Sequence, residues 1–282
     1  MTKDSDSFSH TTLPSLGKRV LRIGLAGNYG IDPAGVRHAA ERGIDYWLWT
    51  PRFKKVTPVL RDILARDREA HVVSYLAGAL LKGGIRRNIE KALKALGTEY
   101  LDCFKLAWLG RTARYNNSIR DALLQLKEEG KIRSFGCSIH DRKRAGQLAR
   151  ESAMDTFMLR YNAKHPGAEV DIFPHLAERN PTIIAYTATA WRQLLKPYGE
   201  AGLPPWPGSA SIGQVPPLTA PLCYRFCLSN PHVHVVLTGP KDRTQLDQNL
   251  DALEAGPLTV EELDWVRQYG AFVKKNHKRD YI

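Results

Sequence analysis

The sequence predicts an α/β fold, a parallel eight-stranded (β/α)8 barrel, from two observations. Short apolar runs typical of buried strands alternate with helical segments along almost the whole chain of 282 residues. The strand-like runs cover residues 20–27, 46–50, 71–76, 103–108, 134–138, 156–161, 182–187 and 232–237. Strands that are apolar throughout are typical of a parallel sheet covered on both faces, and eight of them close naturally into a TIM barrel.

Three of the intervening segments carry clear helix signals. The segment 33–42 follows Asp32, a favourable N-terminal cap, and begins with proline. The segment 84–96 has apolar residues at helical spacing, and the segment 118–130 ends at Gly130. The alternative fold, a doubly wound open sheet, is disfavoured because no strand is followed by the GxGxxG turn typical of that fold.

We expect residues 1–282 to form one barrel domain, because a chain of this length commonly does so. Residues 1–15 are polar and are expected to form a flexible N-terminal segment. Residues 196–221 are rich in proline and glycine and follow the seventh predicted strand. A long loop at that place is either a functional loop on the C-terminal rim of the barrel or a spacer.

The balance of 41 basic and 29 acidic residues gives a net charge of +12, which predicts affinity for anions such as phosphate-bearing cofactors. The basic residues are spread out, and short clusters at 52–55, 142–144 and 274–279 are interpreted as solvated surface. No aromatic-rich nucleic-acid module accompanies them, so a nucleic-acid partner is not expected. The expected partner is a small-molecule ligand, and the oligomeric state is left open.

The sequence contains no apolar run of about 18 residues, which argues against a membrane span. The N-terminus has no apolar signal core, so a cytoplasmic location is predicted. The four cysteines include no CxxC pair, and we predict no metal site.

Several short motifs follow one another along most of the chain. They are Leu96-Gly-Thr-Glu-Tyr-Leu-Asp102, Leu126-Lys-Glu-Glu-Gly-Lys-Ile-Arg-Ser-Phe-Gly-Cys-Ser138, Arg160-Tyr-Asn162, Ile184-Ala-Tyr186 and Leu237-Thr-Gly-Pro-Lys-Asp-Arg243. In this order they resemble the aldo/keto reductase superfamily. The resemblance implies a TIM barrel with NADP(H) bound across its C-terminal face, and hydride transfer between the nicotinamide and a carbonyl group.

The resemblance also locates the family's catalytic tetrad of Asp, Tyr, Lys and His. The matching positions here hold Leu48, Phe53, Leu76 and Ala107. Because Phe53 has no proton to donate, the standard carbonyl-reductase mechanism is not expected. Losing the Lys and the Asp together avoids leaving one buried charge uncompensated. We therefore interpret the pattern as a relined pocket, one in which apolar side chains replace the polar catalytic groups together.

Two other residues are candidate catalytic substitutes. Lys105 lies two residues before Ala107, so the two share a strand face. Lys105 either pairs with Tyr46 inside the barrel, or it points outward or pairs with a carboxylate. His140 follows the fifth predicted strand. It is either a general acid/base at the rim or an exposed residue beside a helix cap at Asp141.

The nucleotide-binding end retains more of the family's pattern. By resemblance, Ser138 would hold the nicotinamide carboxamide, although Ile139 and Met158 stand where polar residues are usual. Tyr186 would stack on the nicotinamide. Arg192 would lie beside the pyrophosphate, where it either adds a phosphate contact or fills the groove and blocks it. Cations at a helix start complement phosphate well. The remaining positions implied to bind the adenosine end are Lys241, Arg243, Gln245 and Asn249.

Three functions are therefore open. The first is an NADP(H)-binding, aldo/keto-reductase-like oxidoreductase with non-standard catalytic residues. The second is a catalytically inactive pseudoenzyme that acts as a nucleotide sensor or scaffold. The third is a barrel enzyme of another class, a lyase or an isomerase.

Overall fold

The structure is a computed structural model that describes residues 8–27, 29–78, 81–198, 205–207 and 217–277. The first described strands form an antiparallel hairpin, β1 (His10–Thr12) and β2 (Arg19–Leu21). The strands that follow are β3 (Ile23–Ala26), β4 (Tyr46–Trp49), β5 (Val72–Ala77), β6 (Leu101–Leu106), β7 (Ile132–Ile139), β8 (Thr156–Arg160), β9 (Thr182–Tyr186) and β10 (Val235–Thr238). These eight pair in parallel and close into a barrel in the order β10-β3-β4-β5-β6-β7-β8-β9. The predicted (β/α)8 fold is confirmed.

Helices cover the outside of the barrel. They are α1 (Pro33–Glu41), α2 (Val56–Arg66), α3 (Lys82–Leu96), α4 (Asn117–Glu128), α5 (Arg142–Glu151), α6 (Ala168–Asp171), α7 (Ala220–Leu228), α8 (Arg243–Glu254) and α9 (Val260–Asn276). Their caps follow local chemistry, as at α1, where Asp32 accepts a hydrogen bond from the Gly35 amide. No described helix has the length and apolarity needed to cross a bilayer.

The first predicted strand, 20–27, is two strands in the structure. The division falls at Arg22, whose buried guanidinium donates to the carbonyls of Leu228 and Val233 at 2.9 and 2.7 Å. Backbone before Arg22 pairs with β1, and backbone after it pairs with β10 in the barrel. This switch of partner depends on contacts more than 200 residues away, so a local pattern cannot predict it.

The hairpin of β1 and β2 occupies part of the N-terminal segment predicted to be flexible; residues 1–7 lie outside the described chain. The turn between its strands inserts Leu13 into the apolar cluster inside the barrel, together with Val20 and Val72. The Ser15 hydroxyl also meets the Thr182 hydroxyl at 2.8 Å. From residue 10 onward this segment is therefore packed against the N-terminal end of the barrel.

Most of the predicted rim loop, 196–221, lies outside the described residues. Of the parts that are described, Trp206 packs edge-on against Trp265 with ring centroids 5.1 Å apart. The Leu218 amide donates to the Leu194 carbonyl at 3.1 Å.

A buried carboxylate, Asp102 on β6, joins three parts of the N-terminal end. It accepts hydrogen bonds from Arg68 at 2.7 Å, from Lys18 at 3.1 Å and from the Val73 amide at 2.9 Å. The Asp102 side chain has no exposed area, whereas the two cations are each 16% exposed. A fully buried charge is tolerated when it is paired and hydrogen-bonded in this way.

Asp102→Asn should lower the free energy of unfolding by about 3 kcal/mol, because two half-buried cations lose their shared counter-charge. The measurement is urea denaturation followed by circular dichroism. Asp121→Asn is the matched control, since Asp121 is 61% exposed and its pair with Arg120 is on the surface. Equal losses in the two variants would contradict this role for Asp102.

Candidate functional site

A cavity of about 880 Å³ opens at the C-terminal ends of the barrel strands. Its apolar floor comes from Leu48 on β4, Leu76 on β5, Met158 on β8 and Leu237 on β10. Successive residues of a strand alternate between the barrel interior and the helices. The floor residues are on the interior face, toward the C-terminal end of the barrel. Barrel enzymes build their sites at that end.

Three of the four positions matched to the tetrad converge in this cavity. Leu48 and Leu76 form part of the floor, and half-buried Phe53 lies beside them on the loop after β4. The fourth, Ala107, is half-buried, and its amide donates to the Ala77 carbonyl at 2.9 Å. Ala107 does not line the cavity, whereas its neighbour Trp108 does. The site is therefore apolar where the family's proton-transfer groups would be.

Lys105 points into the barrel one layer below this floor. Its ammonium is fully buried and donates to the Tyr46 hydroxyl at 2.8 Å and to the Ser74 hydroxyl at 2.5 Å. The Tyr46–Lys105 pair considered from the sequence thus forms, and burial raises the pKa of Tyr46 above its ordinary value. Neither residue lines the cavity. Lys105 therefore points to the barrel axis but does not reach the cavity in which a ligand could bind.

His140 and Tyr186 form a polar pair on the cavity wall. The Tyr186 hydroxyl lies 3.2 Å from Nε2 of His140, and the two rings are perpendicular. Trp108 contacts the other side of His140 edge-on, with ring centroids 5.8 Å apart. Burial raises the pKa of Tyr186 to about 12. Burial, and then the charges of Arg160 and Arg111, lower the pKa of His140 below its usual value, so both groups are neutral at pH 7.

A second chamber of about 590 Å³ adjoins the first. The two share Tyr29, Thr187, Trp191, Leu237 and Gly239, so they form one continuous groove. Arg192, Lys241 and Gln245 line the second chamber. Arg192 and Lys241 are exposed, and neither pairs with a carboxylate in the described parts of the chain. This end of the groove is suited to bind an anion.

The loop after β9 holds its backbone in an unfavourable conformation at the groove. Residues other than glycine rarely adopt a positive φ, and each such residue costs about 1–2 kcal/mol. Four residues of this loop do so: Thr187 (φ 58°), Ala190 (φ 48°), Trp191 (φ 53°) and Arg192 (φ 66°). Residues 190–192 therefore form a short left-handed turn that carries two groove-lining side chains.

Side chains from the segment after β8 hold this loop. The Asn162 amide donates to the Thr187 carbonyl at 2.7 Å, and buried Lys164 donates to the Gln193 side chain at 2.6 Å. The Gln193 carbonyl in turn accepts from the Tyr198 hydroxyl at 2.7 Å. These contacts on both sides of the left-handed turn account for its persistence, because a strained backbone needs its surroundings to determine it.

Not every predicted cofactor residue faces the groove. Ser138, Tyr186, Arg192, Lys241 and Gln245 line it. Arg243, the first residue of α8, is exposed but is not part of the lining of either chamber. Asn249 is buried and donates to the Thr238 hydroxyl at 2.8 Å, which places it in an internal contact of β10 with α8.

Sequence reasoning missed three cations of the groove, Arg52, Lys54 and Lys55, by assigning residues 52–55 to solvated surface. They line the first chamber on the loop between β4 and α2. The signal that could have found them is position, because this cluster directly follows a barrel strand and such loops form the site face.

Comparison with known proteins agrees with this architecture. The model of the Aldo/keto reductase family matches residues 71–202. An aldo-keto reductase from Bacillus halodurans in its holo form superposes with a TM-score of 0.76 at 20% identity, over 93% of this chain and 96% of that one. An aldo/keto reductase from Klebsiella pneumoniae in complex with NADP and acetate gives 0.73 at 20% identity, over 93% and 95%. The family model confirms the predicted resemblance to the aldo/keto reductase superfamily over residues 71–202, and the two structures share the fold of this chain. No curated protein sequence matches the chain.

The phosphate end of an NADP(H) molecule fits the residues present. The linings of the two chambers hold five cations (Arg52, Lys54, Lys55, Arg192 and Lys241) and, among described residues, no carboxylate. Gly239 lets the Tyr29 ring lie against the backbone there, since a Cβ at this position would lie 2.1 Å from that ring. The nicotinamide end offers fewer polar partners, because Met158 in the floor is apolar and Ser138 is the polar side chain nearby on the neighbouring strand.

Arg192→Gly should raise the free energy of unfolding by about 1 kcal/mol relative to Arg192→Ala, because glycine relieves the positive φ. Both variants remove the same charge, so their difference isolates the backbone. The measurement is thermal and urea unfolding of the two proteins side by side. Equal stability would show that the left-handed turn carries no strain.

Proposed function

We propose that this protein is an NADP(H)-binding, aldo/keto-reductase-like oxidoreductase that uses a non-standard set of catalytic residues. One observation carries the proposal. A continuous groove joins the cationic chamber at Arg192 and Lys241 to an apolar floor with the His140–Tyr186 pair on its wall. This arrangement supports a phosphate-bearing cofactor at one end and a reacting group at the other.

Arg192 and Lys241 are proposed to hold the phosphates of the cofactor. Charge-assisted hydrogen bonds to phosphate are among the strongest polar contacts, and these two side chains have no competing carboxylate in the described chain. The NADP complex of the Klebsiella pneumoniae protein supports this choice of ligand. Ser138 is the polar side chain available for the carboxamide. When bound, the reduced nicotinamide would supply a hydride to a carbonyl carbon.

His140 is proposed to supply the proton that the carbonyl oxygen takes up. It does so through Tyr186, whose hydroxyl lies 3.2 Å from the imidazole. The Tyr186 phenol donates its proton to the carbonyl oxygen, and protonated His140 replaces that proton on the phenol. Leu48, Leu76 and Phe53 line the same chamber with apolar side chains, which have no proton to donate in place of His140. Lys105 is too deeply buried to take part.

One observation favours the second function, a nucleotide sensor without turnover. Burial raises the pKa of Tyr186 to about 12, and no described cation forms a hydrogen bond with its hydroxyl. Tyr186 is therefore a weaker acid than a tyrosine beside a lysine. In a sensor the groove would bind the nucleotide, and the apolar floor would leave it unreacted.

NADPH titration followed by nicotinamide fluorescence should show saturable binding. Replacing both Arg192 and Lys241 by Ala should weaken binding at least about tenfold, because two phosphate contacts are lost. The matched control replaces Arg87 and Lys91, which are exposed on α3 outside the groove. No binding up to millimolar concentration would overturn both the oxidoreductase and the sensor. Binding without turnover of aldehydes or quinones would select the sensor.

Any carbonyl reduction should become faster as the pH falls below neutrality, because protonated His140 is the stronger acid. The lowered pKa of His140 places this rise on the acid side of neutrality. The measurement is kcat between about pH 5 and pH 8 for the protein and for His140→Gln. The variant should lose the acid rise while retaining NADPH binding. An unchanged profile would remove His140 from proton transfer.

A further inference from the structure

The loop between β4 and α2 presents three cations to the groove with no carboxylate to balance them. Arg52, Lys54 and Lys55 are exposed and line the first chamber. None of them forms an ion pair within the described residues. Asp62 on α2, the next carboxylate along the chain, is paired with Arg37 at 3.3 Å. We call Arg52, Lys54 and Lys55 the β4-loop cations.

The backbone holds these cations on a short, defined turn. The Phe53 amide donates to the Thr50 carbonyl, and the Phe53 carbonyl accepts from the amides of Val56 and Thr57, each at 3.0 Å. Half-buried Phe53 therefore faces the apolar cluster while its neighbours face solvent at the rim. This turn joins an apolar wall and a positively charged rim in the same few residues.

The start of α2 adds to the positive potential at this rim. Val56, its first residue, lines the chamber, and the first turn contains no acidic residue. The N-terminal end of a helix carries a partial positive charge, which is left unneutralised here. The helix dipole and the β4-loop cations thus act in the same direction.

These cations lie apart from those assigned to the cofactor. Of the two chambers, Arg192 and Lys241 line only the second and the β4-loop cations line only the first. Lys54 also lines a separate surface pocket beside α2, together with Asp62. In the barrel, β4 is separated from β10 by β3, so the two sets follow strands that are not neighbours. A cofactor whose phosphates bind Arg192 and Lys241 in the second chamber therefore leaves the β4-loop cations without an anion.

The chamber between the two sets suits a flat apolar body. Its floor is Leu48 and Leu76, and indole rings of Trp108 and Trp191 form part of its wall. Trp108 is 40% exposed, so much of its ring is available for contact. Aromatic rings that face a cavity bind planar ligands by stacking or edge contacts.

We infer that the first chamber binds a second ligand, a small molecule with a flat apolar body and an anionic head, carboxylate or phosphate. The β4-loop cations hold the head, and the floor with Phe53 holds the body. That this second ligand is the substrate rests on the proposed function. That it binds in the first chamber does not depend on the proposed function. The ligand class differs from the neutral carbonyl compound that an apolar floor alone would select.

Three naphthalene probes with different heads test this inference: naphthoate, naphthyl phosphate and neutral naphthalenemethanol. Tryptophan fluorescence reports binding because Trp108 and Trp191 line the chamber. At least one anionic probe should bind about tenfold more tightly than the alcohol, and higher salt should reduce the difference. The two anions distinguish a carboxylate site from a phosphate site. Equal affinity of all three probes would overturn the inference.

Replacing Arg52, Lys54 and Lys55 together by Gln should abolish the preference for an anion while the alcohol still binds. The matched control replaces Arg87, Lys91 and Lys94, exposed residues of α3 outside the groove, with the same loss of three charges. An anion preference that survives the first triple variant, or falls equally in both, would overturn the site. NADPH titration of the same proteins separates the outcomes. Loss of NADPH binding with anion binding intact rejects the proposed function and keeps this site.

Discussion

The buried carboxylate of Asp102 is the interaction on which the N-terminal end of the barrel depends. It ties β6 to the β5 backbone, to Arg68 and, through Lys18, to the hairpin that packs against the barrel. Breaking a buried charge pair costs far more than breaking a surface pair, so this end is the costly one to alter. The opposite end, where the groove lies, can then change its lining without unfolding the barrel. Stability and ligand contact thus belong to different ends of the same strands.

The barrel interior between Asp102 and the groove is built of layers whose buried groups are satisfied within the layer. Above Asp102, the Lys105 ammonium is satisfied by the hydroxyls of Tyr46 and Ser74 without a carboxylate. Above that layer, Leu48 and Leu76 close the interior with apolar side chains. A lysine in this floor would need side-chain oxygens to accept its hydrogen bonds, and the apolar floor residues offer none. The His140–Tyr186 pair instead lies on the wall of the chamber.

The fold could be predicted from the sequence because its signals are local. Apolar runs and helix caps located the barrel strands to within a few residues, and collinear motifs aligned Leu48, Phe53 and Leu76 in one cavity. Features that depend on distant contacts could not be predicted. Arg22 divides a strand by binding carbonyls beyond residue 227, and Asn249 turns inward to Thr238. The role of the β4-loop cations was missed because charge in a sequence does not show which surface it faces.

The left-handed turn at residues 190–192 bears on whether the groove is a working site. Glycine would adopt these φ values freely, yet the chain has Ala190, Trp191 and Arg192 there. Their conformation is determined from outside, by Asn162 at one end and by Lys164 at the other. Side chains held in place before a ligand arrives lose little freedom on binding, which increases affinity. This benefit exists only where the groove binds a ligand. Under the proposed function, Trp191 and Arg192 would meet the cofactor already held in position by these contacts.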